Sequence, residues 1–251
     1  MVACHTPDHK LRLPSTPARA HANLRNCLHL PRRLWTAVDQ HFTELFIPAD
    51  PVLDAALAAN AAAGLPSIDV APNQGKLLHL LARINGARRI LEIGTLGGYS
   101  TIWLARALPP DGQLITMEFD PHHAATAKAN ISRAGLFPLV DIRIGAALDS
   151  LAALAAEDPE PFDLIFIDAD KPNNPHYLAW ALKFSRPGTV IIGDNVVRDG
   201  AILDPDHPDP RVQGTRDFLS LLAAEPRVSA TALQTVGSKG YDGFAIALVI
   251  E

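Results

Sequence analysis

Arg89-Ile90-Leu91-Glu92-Ile93-Gly94-Thr95-Leu96-Gly97-Gly98-Tyr99-Ser100 reads as an apolar strand running through a glycine-rich turn into a helix. Glycines at such a junction let a ligand approach the backbone, and the helix N-terminus favours negative groups. The spacing is G-x-x-G-G, unlike the G-x-G-x-x-G that accommodates a dinucleotide pyrophosphate. Glu92 adds a carboxylate beside the turn, where a pyrophosphate would be repelled and a cationic amino-acid head attracted. By itself the turn is also compatible with a tight βα connection and no ligand.

Downstream the rhythm repeats. Strand-like runs fall at Arg89–Ile93, Gln113–Glu118, Val140–Ile144, Leu164–Asp168 and Thr189–Gly193. Helical segments lie between them near Tyr99–Ala107, Pro121–Ala134, Ala147–Glu157 and Pro175–Ser185. Leu164-Ile165-Phe166-Ile167 is continuously apolar, as in strands of a parallel sheet covered by helices on both faces. After a Pro- and Asp-rich loop, Asp199 to Pro210, a helix near Val212–Ala224 precedes two last strands, Val228–Gln234 and Phe244–Ile250, around the turn Gly237–Gly240. The expected architecture is α/β: one Rossmann-like domain, residues 31–251, with a seven-stranded, mostly parallel sheet, helices on both faces and extra helices at its N-terminus. Ligands of such sheets bind at the carboxyl ends of the strands.

Upstream, Trp35, Val38, Phe42, Leu45 and Phe46 mark one face of a helix beginning at Leu34. A second, Ala-rich helix is expected from Val52 to Ala63, and a third near Asn73 with Leu77, Leu80, Leu81 and Ile84 on its apolar side. Residues 1–30, where Lys10, Arg12, Arg19 and Arg25 accompany one acid, Asp8, read as an extension outside the domain; a transit peptide is the competing reading.

Composition narrows the function classes. The chain has 251 residues, 48% of them hydrophobic, with 22 Lys+Arg against 27 Asp+Glu. A core of that size suits one domain, and the lack of a basic excess or stripe argues against nucleic acid as partner. No apolar run reaches the ~18 residues of a membrane span. Two cysteines, Cys4 and Cys27, make no disulfide framework, which points to the reducing cytoplasm.

Chemistry is expected at the strand ends. Glu118 closes the second strand about twenty residues beyond the glycines, where a carboxylate can accept both ribose hydroxyls of an adenosine. With the glycine turn it suits a ligand that has adenosine at one end and an α-amino group at the other. The fourth strand ends Ile167-Asp168-Ala169-Asp170-Lys171 and the fifth Ile192-Gly193-Asp194-Asn195. If these strands are neighbours, about 5 Å apart, Asp168, Asp194 and Asn195 present three hard oxygens to one point. Mg²⁺ suits such a set and leaves about three positions for two vicinal hydroxyls and a water; either Asp alone reads as a turn cap. Beside a metal ion and a sulfonium, Lys171 would be disfavoured as an ammonium and available as a general base. Methyl transfer from sulfur to an oxygen so held is mainly positioning and charge stabilisation.

The run from Arg89 to Ser100, Met117-Glu118, Phe162-Asp163-Leu164-Ile165-Phe166-Ile167-Asp168-Ala169-Asp170-Lys171, Gly193-Asp194-Asn195 and the stretch from Gly237 to Phe244 together resemble the cation-dependent class I O-methyltransferases, the family of caffeoyl-CoA and catechol O-methyltransferases, and most of all its bacterial members. The resemblance implies S-adenosylmethionine as cofactor and a divalent cation, Mg²⁺ first with Mn²⁺ or Ca²⁺ as alternatives, bound by Asp168, Asp194 and Asn195. It implies a catalytic centre of Lys171 as base with Asp168 and Asn195, acting on a small catechol-like molecule. Val70, Glu92, Gly94, Thr95, Gly98, Tyr99, Ser100, Glu118, Ala147 and Asp168 match the cofactor positions, and the usual assembly is a homodimer. Asn174 stands where plant members carry Tyr, Asp170 where the animal catechol enzyme carries Trp, and Asp199–Pro210 lacks a basic cluster for CoA; these departures bear on the substrate. A nicotinamide-dependent oxidoreductase would call for Tyr-x-x-x-Lys, but Tyr177 is followed by Ala181. A binding protein that had lost catalysis would show decay of the Asp168, Lys171, Asp194 and Asn195 set, which is complete.

Overall fold

The computed structural model describes residues 21–251. Helix α1 (His21–Phe46) comes first, followed by α2 (Pro51–Ala62) and α3 (Pro72–Ile84). Five βα repeats follow: β1 (Arg89–Ile93), α4 (Tyr99–Ala105), β2 (Gln113–Glu118), α5 (Pro121–Arg133), β3 (Val140–Ile144), α6 (Ala147–Ala156), β4 (Leu164–Ile167), α7 (Asn174–Lys183) and β5 (Val190–Asp194). Helix α8 (Pro210–Ala224) leads into β6 (Val228–Gly237) and β7 (Gly240–Val249).

The seven strands form one sheet in the order β3-β2-β1-β4-β5-β7-β6. Strands β1 to β5 are mutually parallel, and β7 runs antiparallel to both β5 and β6. Strand order reverses beside β1, which pairs with β2 on one side and β4 on the other, so a crevice opens at their carboxyl ends. Alternate residues of each strand feed opposite cores. Ile90, Leu164 and Phe166 join Leu53, Leu78, Ile102 and Leu104 on one face; Leu91, Ile93, Ile165 and Ile167 join Leu151, Leu178 and Phe218 on the other. This two-sided burial is why β4 reads as an unbroken apolar run.

Several expectations need correction. Helix α1 starts at His21, well before Leu34; residues 1–20, with Cys4 and the transit-peptide reading, lie outside the described residues. The closing hairpin is longer than expected, and Ser238-Lys239 is all that separates β6 from β7. Helix α3 buries its expected stripe only in part: Leu81 packs against the core and Leu77 is half-buried, but the fully buried residues are Gly75, Leu78 and Ala82, and Ile84 is left 81% exposed. The reason is steric, since a Cβ on Gly75 would lie 2.4 Å from the Trp103 indole, so α3 lies on α4 by its smallest residues. Of the apolar residues of α1 found by their period, Val38, Phe42, Leu45 and Phe46 are likewise exposed, as is Leu34, and Trp35 is half-buried. Among the described residues no helix is long and apolar enough to cross a membrane.

Candidate active site

The glycine turn is shaped by what lies under it. Gly94 has φ +107°, and a Cβ there would meet the Asp168 carbonyl oxygen at 2.1 Å. The ends of β1 and β4 can therefore close together only without a side chain. Asn130 Nδ2 donates to the Gly97 carbonyl (2.9 Å) and to Asn60 Oδ1 (2.9 Å), while Asn60 Nδ2 donates to Asp69 Oδ1 (2.9 Å). This chain of amides braces the turn against α2, α5 and the segment that carries Val70, which is itself nearly buried.

The expected cofactor residues gather here, and several turn their side chains inward. Tyr99 lies in the core at the start of α4, and Thr95 pairs with Thr116 (2.6 Å), so what these two offer a ligand is backbone. Glu92 is fully buried and accepts hydrogen bonds from Ser100 (2.6 Å), Thr101 (2.5 Å) and Thr116 (2.8 Å). Burial first, opposed by those hydroxyls, and then the charge of Asp168 push its carboxyl up to about 7. Ser100 keeps a little surface, and Gly98 caps α4 at φ +82°. Glu118 accepts from the backbone N–H of Leu96 (2.7 Å) and of Asp120 (3.0 Å), and His123 lies 3.4 Å away. Each of its oxygens keeps a lone pair for a sugar hydroxyl. Ala147 opens α6, and the turn before it is tied to this place by Gly145 N–H donating to the Glu118 carbonyl (2.9 Å).

The second half of the site lies two strands along. Ile167 pairs with Gly193, so Asp168 and Asp194 leave paired strands at equivalent ends, as expected. Lys171, only 6% exposed, donates from Nζ to Asp168 Oδ1 (2.8 Å). Asp194 is buried; its Oδ1 accepts from the Asn195 N–H (2.9 Å) and its Oδ2 from Gln74 Nε2 (2.7 Å). Burial and the neighbouring Asp168 raise its carboxyl well above the usual range, with Lys171 opposing. Asn195 sits at φ +57°, a conformation Asn tolerates. Beyond it Asp242 Oδ1 accepts from Val197 N–H (2.9 Å) and Arg198 N–H (3.1 Å), which holds the loop after β5 in shape. The loop of Lys171 is held from outside: Asp170 accepts from Tyr177 Oη (2.5 Å) and Asn173 Nδ2 (2.7 Å). Among the described residues no three His, Cys, Asp or Glu side chains form a metal-holding group; the set here is two carboxylates and an amide.

Asp194 and Asn195 open onto a cavity of about 550 Å³ whose walls include Phe42, Phe46, Leu77, Leu80, Val236 and Phe244. Asp39 on α1 accepts from Ser238 N–H (2.7 Å), joining that helix to the hairpin across the cavity. Sequence reading missed Gln74, Asn60, Asn130 and Thr116, neutral residues at ordinary positions, and gave Asp242 no role beyond its place in the stretch from Gly237 to Phe244.

The O-methyltransferase family model matches residues 49–248. A catechol O-methyltransferase of Niastella koreensis is 54% identical over 217 residues, covering 86% of this chain and 98% of that protein. The crystal structure of an O-methyltransferase from Bacillus cereus in complex with SAH is 63% identical, covers 86% of this chain and 99% of that one, and superposes with a TM-score of 0.86. That of TomG from Streptomyces achromogenes, an O-methyltransferase of tomaymycin synthesis in complex with SAM, is 52% identical over 88% of this chain and 99% of that one, with a TM-score of 0.85. The glycine turn, the acid ending β2 and the similarity along nearly the whole sheet agree, and this chain belongs to the S-adenosylmethionine-dependent O-methyltransferase family.

Proposed function

We propose that this enzyme transfers the methyl group of S-adenosylmethionine to one hydroxyl of a catechol-like small molecule, with a divalent cation held by Asp168, Asp194 and Asn195 and with Lys171 as general base. The observation that carries the proposal is the convergence of Asp168, Lys171 and Asp194 at the ends of β4 and β5, beside the cavity that Asn195 lines. A dication fits the donor set: three hard oxygens, two of them from carboxylates, of which Asp168 bonds to Lys171 while Asp194, among the described residues, accepts from neutral donors. When bound, such an ion makes a hydroxyl more acidic and fixes two neighbouring oxygens.

The residues divide the remaining work. Backbone at Gly94 to Ser100, with Val70 and Ala147, receives the amino-acid and adenine parts of the cofactor, and Glu118 receives its ribose. Lys171 Nζ takes the hydroxyl proton; the oxygen–carbon bond forms as the sulfur–carbon bond breaks, and S-adenosylhomocysteine leaves as a neutral thioether. Asp168, already 2.8 Å from Nζ, stabilises the ammonium that results. Similarity to a catechol O-methyltransferase supports the acceptor class. The exposed apolar stripe Leu34, Val38, Phe42, Leu45 and Phe46 supports a homodimer formed through α1.

The test is methyl transfer from S-adenosylmethionine to a panel of catechols, with Mg²⁺ and with EDTA. Product only with the metal is expected, and product that persists after thorough chelation would remove the cation from the mechanism. Lys171→Ala should cut turnover heavily with cofactor affinity nearly unchanged; equal loss of both would make Lys171 structural. Asp194→Ala should weaken metal-dependent activity more than cofactor binding.

A further inference from the structure

Gln74 is the side chain nearest the catalytic carboxylates that the mechanism above does not use. It stands in the first turn of α3, and its Nε2 donates to Asp194 Oδ2 at 2.7 Å, joining residues 120 positions apart. Among the described residues the other hydrogen bond to Asp194 comes from the N–H of its neighbour Asn195, on Oδ1. One donor on each oxygen fixes the rotation of the carboxylate and leaves one lone pair on each for another partner. The donor is a neutral amide, so it orients the acid without bringing a positive charge that would repel a cation. Its placement is rigid because the next residue, Gly75, lies directly on the Trp103 ring and fixes the height of α3 over α4. Gln74 also lines the same cavity as Asp194 and Asn195, so this orientation is set at the mouth through which an acceptor enters.

We infer that Gln74 is a positioning residue for cation binding: it holds Asp194 in the rotation that turns its open lone pairs towards Asp168. The inference rests on the cation reading above, and it assigns to α3 a part in metal affinity that neither strand end supplies. Outer-shell partners of ligating carboxylates are worth about 10- to 100-fold in metal affinity.

The experiment is a Mn²⁺ titration of the full chain followed by the electron paramagnetic resonance of free Mn²⁺. It compares wild type, Gln74→Met, Gln74→Asn and Asp194→Asn. Gln74→Met keeps the volume and removes the donor; Gln74→Asn keeps the amide but falls a methylene short and serves if the Met variant folds poorly. Each is expected to weaken Mn²⁺ binding about tenfold or more, with cofactor affinity by calorimetry within twofold. The KM for metal should rise by the same factor while kcat at saturating Mn²⁺ stays within about threefold. Gln74 variants that bind Mn²⁺ like wild type, while Asp194→Asn does not, would overturn the inference and leave the cation reading standing. A wild type that binds no stoichiometric Mn²⁺ would overturn both.

Discussion

Gly214→Ala should slow this enzyme about 10- to 100-fold although the residue lies on a helix away from the reacting atoms. Gly214 is in the second turn of α8, in ordinary helical conformation, where Ala is the better helix former by about 0.8–1 kcal/mol. Helix propensity therefore predicts a more stable protein. The packing predicts the reverse: a Cβ on Gly214 would lie 2.2 Å from the Lys171 carbonyl oxygen and 2.7 Å from Pro172 Cα. Separating these groups to van der Waals contact takes roughly 1 Å. Overpacking of that kind costs about 1–3 kcal/mol, which outweighs the helix gain. The backbone that must yield is the one carrying the base. The Asp170–Tyr177 hydrogen bond holds the loop on its far side, so the shift falls on Lys171 itself. A displacement of about 1 Å at a catalytic group costs on the order of 100-fold in turnover.

Two assays decide the matter. Urea unfolding of Gly214→Ala should show no gain in stability and a net loss of up to about 2 kcal/mol, and catechol methylation at saturating cofactor and metal should fall by about 10- to 100-fold. The double variant Gly214→Ala/Lys171→Ala should be no slower than Lys171→Ala alone, because displacing an absent amine costs nothing. A Gly214→Ala protein as stable and as active as wild type would refute the packing argument. A double variant much slower than Lys171→Ala would show that α8 acts on catalysis by some route other than Lys171.

Four further outcomes are expected. Gly94→Ala combines a left-handed backbone with a 2.1 Å clash on the Asp168 carbonyl and should abolish cofactor binding by calorimetry, with a stability loss above about 2 kcal/mol. Glu92, raised from 4.5 to about 7, binds a proton in the folded chain that the unfolded chain has released, so its contribution to stability is present below pH 4.5 and lost as pH rises to 7. Glu92→Gln should remove that slope, which is worth on the order of 3 kcal/mol; a difference between the two proteins that stays flat from pH 4.5 to 7.5 would contradict the burial argument. Tyr177→Phe leaves Asp170 short of one donor and should cost about 1 kcal/mol in urea with a drop of a few fold in kcat. Phe42→Glu, on the exposed stripe of α1, should turn a dimer into monomers by light scattering with unfolding unchanged; a wild type that already runs as a monomer would dismiss the proposed interface.

Strands and helices of the βα repeat were legible because burial on both faces writes continuous apolar runs between glycine and proline stops, and Leu164 to Ile167 illustrates the rule. Strand ends were legible for the same reason, and with them Asp168, Asp194 and Glu118, since a chemical group at a strand end needs no knowledge of its partner to be placed. Gln74 and the Asn60–Asn130 pair carried no such sign. Apart from Asp69, nine positions from Asn60, the acceptors of their amide N–H groups lie 33 to 120 positions away, and a lone amide has no period. The apolar stripe of α3 failed differently. Leu77, Leu80, Leu81 and Ile84 form a true stripe, but a periodic pattern measures side-chain size and not which neighbour is met. The fully buried side of the helix is Gly75, Leu78 and Ala82, and two of those three register as almost nothing on such a scale. Leu81 still reaches the core, while Leu77 and Leu80 line the cavity with Phe42 and Phe46 of α1, so most of the stripe answers to the site and not to the sheet.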